Sequence, residues 1–230
     1  MPEGGNRLLA YLPAGERRRF VASCDTVSLS FGQVLAEPDT RITDVYFPLT
    51  GFVSLIAPVG GGETLEVGLI GAEGMLGATL ALGVDSAPLH ALVQGDGTAL
   101  HLSAARFRRE CRLRPALRGL LLRYCYVLLR QVAQTAACTH YHSIDARLAR
   151  WLLMTQDRAG GSTLHLTQEF LSGMLGVRRV GVTQAAGKLQ ARHLIGYHRG
   201  EIVIVNRRGL EASSCDCYAS DKQLYSHTLG

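Results

Sequence analysis

No apolar run in this 230-residue chain reaches the roughly 20 residues that a membrane-spanning helix needs. The N-terminal MPEGGNRLLA has no positive stretch leading into a long apolar core, which argues against an export signal and predicts a cytoplasmic protein. Low-complexity tracts are missing too. With 47% apolar and 19% charged residues, the composition belongs to a folding chain and not a disordered one. Cysteine is sparse: Cys24, Cys111, Cys125, Cys138, Cys215 and Cys217 include no C-x-x-C pair, so neither a disulfide framework nor a paired-cysteine metal site is expected. Cys215 and Cys217 form a C-x-C too close for ordinary zinc spacing, and read as a bland tail holding no metal or cofactor. Catalytic motifs are also lacking. There is no G-x-S-x-G elbow, Walker loop, H-E-x-x-H or paired-carboxylate arrangement, and Gly60-Gly61-Gly62 is not followed by the Lys-Ser/Thr of a phosphate loop. An enzyme is not expected.

What the chain has is localised positive charge. Residues 143 to 211 hold ten Lys and Arg against five acids, while residues 1 to 142 hold thirteen against twelve. A basic region of this kind suits a polyanionic partner. The length allows one or two domains with a substantial core.

Along the chain, residues 6 to 22 read as a short helix or a pair of helical turns, broken by Pro13 and Gly15. Short β-like runs follow at VSL (27 to 29), VYF (45 to 47), FVSLIA (52 to 57), LEVGLI (65 to 70), HALV (90 to 93) and TALHL (98 to 102), separated by Gly and Pro. That spacing predicts a small antiparallel all-β domain. Ser103 is a plausible N-cap for the helix SAARFRREC. After Pro115, residues 116 to 138 predict a long amphipathic helix of about 35 Å. Its stripe, Leu117, Leu120, Leu121, Tyr124, Val127, Leu128, Gln131 and Val132, has heptad-like spacing suited to pairing with a twin, although it could simply pack on the chain's own sheet. Ser143 then reads as a cap and hinge before IDARLARWLLMTQD, with DRAGGST as the loop that ends it.

The next stretch, LTQEFLSGMLGVRRVGVTQAAGKLQARHLIGYHRGEIVIV (166 to 205), carries the most information. Thr167 caps a two-turn helix with Phe170, Leu171, Met174 and Leu175 on one face, and Gly176 ends it. A second helix starts near Arg178. It buries Val182, Ala185, Ala186 and Leu189 and turns Val180, Thr183, Gln184 and Lys188 outward, with Arg179 at its leading edge. Two short helices joined by a tight Gly turn are a helix-turn-helix. Arginine at the start of the second helix opposes the helix dipole, which favours a functional reason for it, such as a guanine edge or a phosphate. A turn at His198-Arg199-Gly200 feeds IVIV and makes a wing that can bring Arg199 to a phosphate.

These parts together, with VYFPLTGFVSLIA and EVGLIGAEGMLG nearer the N-terminus, resemble the Crp/Fnr-type bacterial transcription regulators over nearly the full chain. The resemblance implies an α+β chain with an N-terminal antiparallel, jelly-roll-like β-roll akin to cyclic-nucleotide-binding domains (residues 1–114). It further implies a dimerisation helix (115–142), a C-terminal winged helix-turn-helix (143–211) and a tail (212–230). A homodimer through residues 116–138 on a double-stranded, roughly palindromic operator is implied, with RNA polymerase a further partner and no membrane. By matching position the base-reading residues fall on Arg179, Val180 and Gln184, with Arg178, Thr183, Lys188 and Arg199 for backbone or mixed contacts. Val180 stands where the family often has an acid. In cyclic-AMP-binding members a Gly-Glu turn and an Arg-Ser pair hold the nucleotide; here the matching positions are Gly71, Glu73 and Gly74, then Asp85 and Ser86. With Asp85 in place of the arginine and no Arg nearby in sequence, cyclic AMP is not the expected effector. The competing reading is a ligand-binding or scaffold protein whose winged helix contacts another protein.

Overall fold

Pro13 does precede a helix, α1 (Ala14–Val21), after a single tight turn at Leu9–Tyr11; Gly15 lies inside α1 and does not break it. The computed structural model describes residues 5–230. The apolar runs then form β1 (Asp25–Leu29), β2 (Val34–Ala36), β3 (Asp44–Pro48), β4 (Phe52–Pro58), β5 (Thr64–Ile70), β6 (His90–Gly95) and β7 (Gly97–Ser103). Two sheets result, β1-β7-β3 and β2-β6-β4-β5. In the first, both pairings are antiparallel, with Val27 opposite Ala99 and Phe47 opposite Leu100. Alternation along β3 sends Val45 and Phe47 inward, as period-2 geometry requires.

Ser103 caps α2 (Ala104–Leu113) by accepting the Arg106 amide, and α3 follows as one uninterrupted helix, Pro115–Tyr141. Buried Leu117, Leu120, Leu121, Tyr124 and Val127 on α3 join Phe20, Phe47, Met75, Leu102 and Phe107 in one core. Phe20 meets Phe47 edge-on at 5.4 Å between centroids. The stripe read as a dimer seam therefore packs mostly inside its own chain, because a sheet face this apolar needs a cover. A different stripe stays outside: Leu122, Tyr126 and Leu129 are exposed, and Ala133, Ala136 and His140 continue the same four-three spacing toward the helix end.

The remaining chain forms α4 (Ile144–Ala159), β8 (Thr163–His165), α5 (Gln168–Leu175), α6 (Arg179–Ala191), β9 (Ile195–His198), β10 (Glu201–Ile204), α7 (Arg207–Ser213) and α8 (Cys217–Leu229). Ser143 sits at the N-cap of α4 but its side chain caps nothing. The expected loop DRAGGST shrinks to three residues, since α4 runs through Ala159 and β8 begins at Thr163. The order β8-β10-β9 makes an antiparallel sheet, and α4 packs on α5, α6 and α7. Residues 212–230 are helical and packed, not a bare tail. Tyr218 Oη donates to Asp157 (2.8 Å), and Arg150, 8% exposed, pairs with Asp221 at 2.6 Å.

By contact the chain divides into two units that cut across its linear order. One holds the residues up to Leu55 with Gly68–Arg130 and Leu224–Gly230; the other holds Ile56–Val67 and Gln131–Gln223. The division differs from boundaries at 114, 142 and 211 because α3 contributes its first half to one unit's core and its last turns to the other's. No helix among the described residues is long and apolar enough to cross a membrane.

Candidate nucleic-acid interface

The Thr167 hydroxyl accepts the Phe170 amide and starts α5; Gly176, at φ 60°, ends it in the left-handed conformation. Only glycine adopts this cheaply, and a Cβ there would also stand 2.9 Å from Leu65 Cδ1. Gly176 thus fixes how the chain leaves α5 for α6. Val182, Ala185, Ala186 and Leu189 form the buried face of α6, as their spacing predicts, and the two alanines let α4 approach closely. The opposite face is open. Arg178, Arg179, Val180, Thr183, Gln184 and Lys188 are all exposed, Val180 by 59%.

Arg178 is the N-cap residue with extended backbone, one step outside the helix, while Arg179 begins the helix proper. Sequence reasoning missed Gln168. Its Oε1 accepts from Thr183 Oγ1 at 2.9 Å and from Arg179 Nε at 3.4 Å, so α5 steadies two residues of the α6 face. The available signal was Gln168's place directly after the Thr167 cap, at the same end of the module as Arg179. Lys188, two turns on, pairs with Asp145 at 3.4 Å; both groups are solvated enough that a phosphate could replace the carboxylate.

The wing is the β9–β10 hairpin, with Glu201 opposite His198 and Ile204 opposite Ile195. Its two-residue turn puts Arg199 (φ 47°) and Gly200 (φ 81°) at the tip. Arg199 and Arg179 share one concavity of about 390 Å³ with Thr167, Gln168, Tyr197 and Gly200. Tyr197 donates to the Leu166 carbonyl at 3.3 Å, and burial holds its phenol above its ordinary value despite Arg179 nearby. Two guanidiniums 20 positions apart in sequence are thereby brought to one concavity.

The five effector candidates lie elsewhere. Glu73 accepts from the Gly71 amide (3.1 Å) and pairs with Arg7 (3.1 Å). A Cβ on Gly74 would fall 2.2 Å from Tyr124 Oη, so this glycine serves the approach of α3, whose Tyr124 hydroxyl accepts the Met75 amide at 3.1 Å. Asp85, expected to lack a nearby arginine, has two: Arg108 at 3.2 Å and Arg41 at 3.5 Å. Both are distant in sequence, which concealed them. Ser86 forms an isolated bridge with Arg41. None of the five lines the β unit's cavity of about 310 Å³, whose walls are mainly apolar (Ile42, Leu55, Ile70, Met75, Leu128) with Glu37, Thr40, Arg41, Thr43, Asp44 and Thr79 as polar members. His101 Nε2 lies 2.7 Å from Asp44, and His90 Nδ1 2.8 Å from Glu37.

A second group of side chains, unrelated to this surface, gathers where no site was expected. Cys215 and Cys217 meet Cys138 and His142, with all four potential ligand atoms within 4.8 Å of one another.

Residues 146–213 match the family of Crp-like helix-turn-helix domains. No curated protein matches the sequence. Solved structures with the same fold include FixK2 from Bradyrhizobium japonicum, at 17% identity and TM-score 0.70, covering 84% of this chain and 98% of that one. The c-di-GMP-responsive global regulator CLP of Xanthomonas campestris is similar at 18% identity and TM-score 0.68, covering 84% and 99%. A Crp/Fnr-family transcriptional regulator from Thermus thermophilus is similar at 22% identity and TM-score 0.67, covering 83% and 98%. The chain thus combines a Crp-like helix-turn-helix domain with the overall fold of Crp/Fnr regulators.

Proposed function

We propose that this chain, carrying a Crp-like helix-turn-helix domain, is a homodimeric, sequence-specific DNA-binding transcription regulator of the cytoplasm. The observation that carries the reading is the α6 surface: an exposed row from Arg178 to Lys188 over a fully buried opposite face, with Arg179 and Arg199 lining one concavity. In a helix-turn-helix the start of the second helix meets base edges. Arg179 and Gln184 read bases, Val180 offers an apolar contact to a thymine methyl, and Arg178, Thr183, Lys188 and Arg199 hold the backbone. The outer stripe of α3, Leu122, Tyr126 and Leu129, supplies the seam for the twofold partner.

The β unit acts as a sensor that does not take cyclic AMP. Its cavity carries the carboxylates of Glu37 and Asp44 against Arg41, which is exposed and already paired with Asp85, so a cyclic phosphate would meet little net positive charge. A small uncharged molecule suits these walls better, and the Thr79 hydroxyl, buried there without a partner among the described residues, offers it one hydrogen bond.

Selection of bound duplexes from a random pool, with and without cyclic nucleotides, tests the whole reading. A twofold-symmetric site with half-sites roughly 34 Å apart and indifferent to nucleotide is expected. No enrichment, or binding without salt dependence, would favour a protein-contacting winged helix.

A further inference from the structure

We propose that Cys138, His142, Cys215 and Cys217 form a closed, tetrahedral zinc site that ties the last turn of α3 to the junction of α7 and α8. The His142 amide donates to the Cys138 carbonyl (3.1 Å), so the helical turn continues past Tyr141 and the two side chains share one face. Cys215 follows α7 and Cys217 opens α8. Cys138 Sγ lies 3.5 Å from Cys215 Sγ, and Cys217 Sγ 3.5 Å from His142 Nδ1. Zinc bonds of ordinary length make tetrahedron edges of about 3.8 Å between sulfurs and about 3.6 Å between sulfur and nitrogen. These two separations are close to those edges, the remaining ones are within 4.8 Å, and Cys138 and Cys215 stand too far apart for a disulfide.

The donor set selects the metal. Three thiols and an imidazole suit zinc and exclude magnesium and calcium, which take oxygen. Donors this close enclose one ion, whereas the cysteines of an iron–sulfur cluster are held apart by the cluster itself. All four positions come from the protein, so the site is structural and leaves no place for substrate. The three cysteines are buried and His142 is exposed, which provides an entry path.

The surroundings point the same way. Gln134 Nε2 lies 2.9 Å from Cys217 Sγ, as an outer partner of a ligand would. Arg147 is 8% exposed, donates to the Leu175 carbonyl and makes no ion pair with a carboxylate among the described residues; burial pulls its pKa below the ordinary value, with Cys138 and Cys215 near enough to oppose that. A zinc ion with three thiolates carries one net negative charge, and Arg147 neutralises it. Arg150 needs no such role because Asp221 already pairs with it. Zinc binds thiolate sulfur, so loading it releases the thiol protons and affinity falls with acid.

The test uses the full chain, produced without a histidine tag in zinc-supplemented medium and dialysed extensively. Elemental analysis should find one zinc per chain; Cys138→Ser and Cys215→Ser should lose it, and Cys24→Ser and Cys125→Ser should keep it. Gln134→Ala should weaken affinity by roughly ten- to a hundredfold. Reduced, chelator-stripped wild type should take up one equivalent of cobalt(II), with the intense visible bands of a tetrahedral thiolate site, a readout that does not depend on any variant folding. Wild type that is metal-free and takes up no cobalt overturns the proposal. So does equal zinc in the Cys138→Ser and Cys215→Ser variants, iron in place of zinc, or a Cys138–Cys215 disulfide that persists under reductant.

Discussion

At the scale of single residues, the basic pair at the start of α6 separates into two positions. Arg178 precedes the helix and suits a backbone phosphate; Arg179 begins it, beside Gln168. Arg179→Ala is expected to reduce the preference for operator over random DNA by about 1 to 3 kcal/mol, measured as a ratio of dissociation constants at fixed salt. Arg178→Ala should instead weaken both nearly equally and shallow the salt slope by about 1. Gly176→Ala tests the turn itself. The left-handed backbone costs a non-glycine residue roughly 1 to 2 kcal/mol, and the crowding against Leu65 adds to that, so its urea midpoint should fall without a change in slope. An unchanged midpoint would show that the α5–α6 turn relaxes freely.

Elements show how a helix with two faces yields two kinds of mutant. On α6, Leu189→Ala should destabilise the fold by about 2 to 5 kcal/mol, while Val180→Ala should leave stability unchanged and alter operator preference alone. On α3, Leu129→Glu should give a monomer by sedimentation with an intact thermal transition, and Leu120→Glu should abolish folding. Sequence periodicity found both helices and the buried face of α6. It mistook the inner stripe of α3 for the outer one, because Leu117 to Val132 shows helical periodicity on either face and only the cover over the sheet decides which turns inward. The seven-residue strands were legible as apolar runs with glycines and prolines between them. Strands β2 and β8 were not: each has three residues, too few for a period, and lies at a sheet edge where β6 or β10 supplies the reason for its existence. The C-x-C motif lacked its meaning for a similar reason, since its partners sit more than 70 positions earlier. Cys138 and His142 at helical spacing were the clue available.

For the whole molecule, charge placement and fold make one expectation: affinity for an operator should fall linearly in log–log with salt, by about 0.9 per phosphate neutralised. The matched helix-turn-helix region ends at residue 213, yet the ion pair that makes Arg150 tolerable inside depends on Asp221 in α8, and Arg207 of α7 reaches Tyr218 at 2.7 Å. A chain still emerging from the ribosome, with the wing already exposed, would hold the Arg150 guanidinium without the Asp221 carboxylate that meets it in the full chain. The recognisable domain is therefore shorter than the unit able to finish folding during synthesis. A fragment excised at residue 213 for grafting onto another sensor would carry that unpaired charge with it.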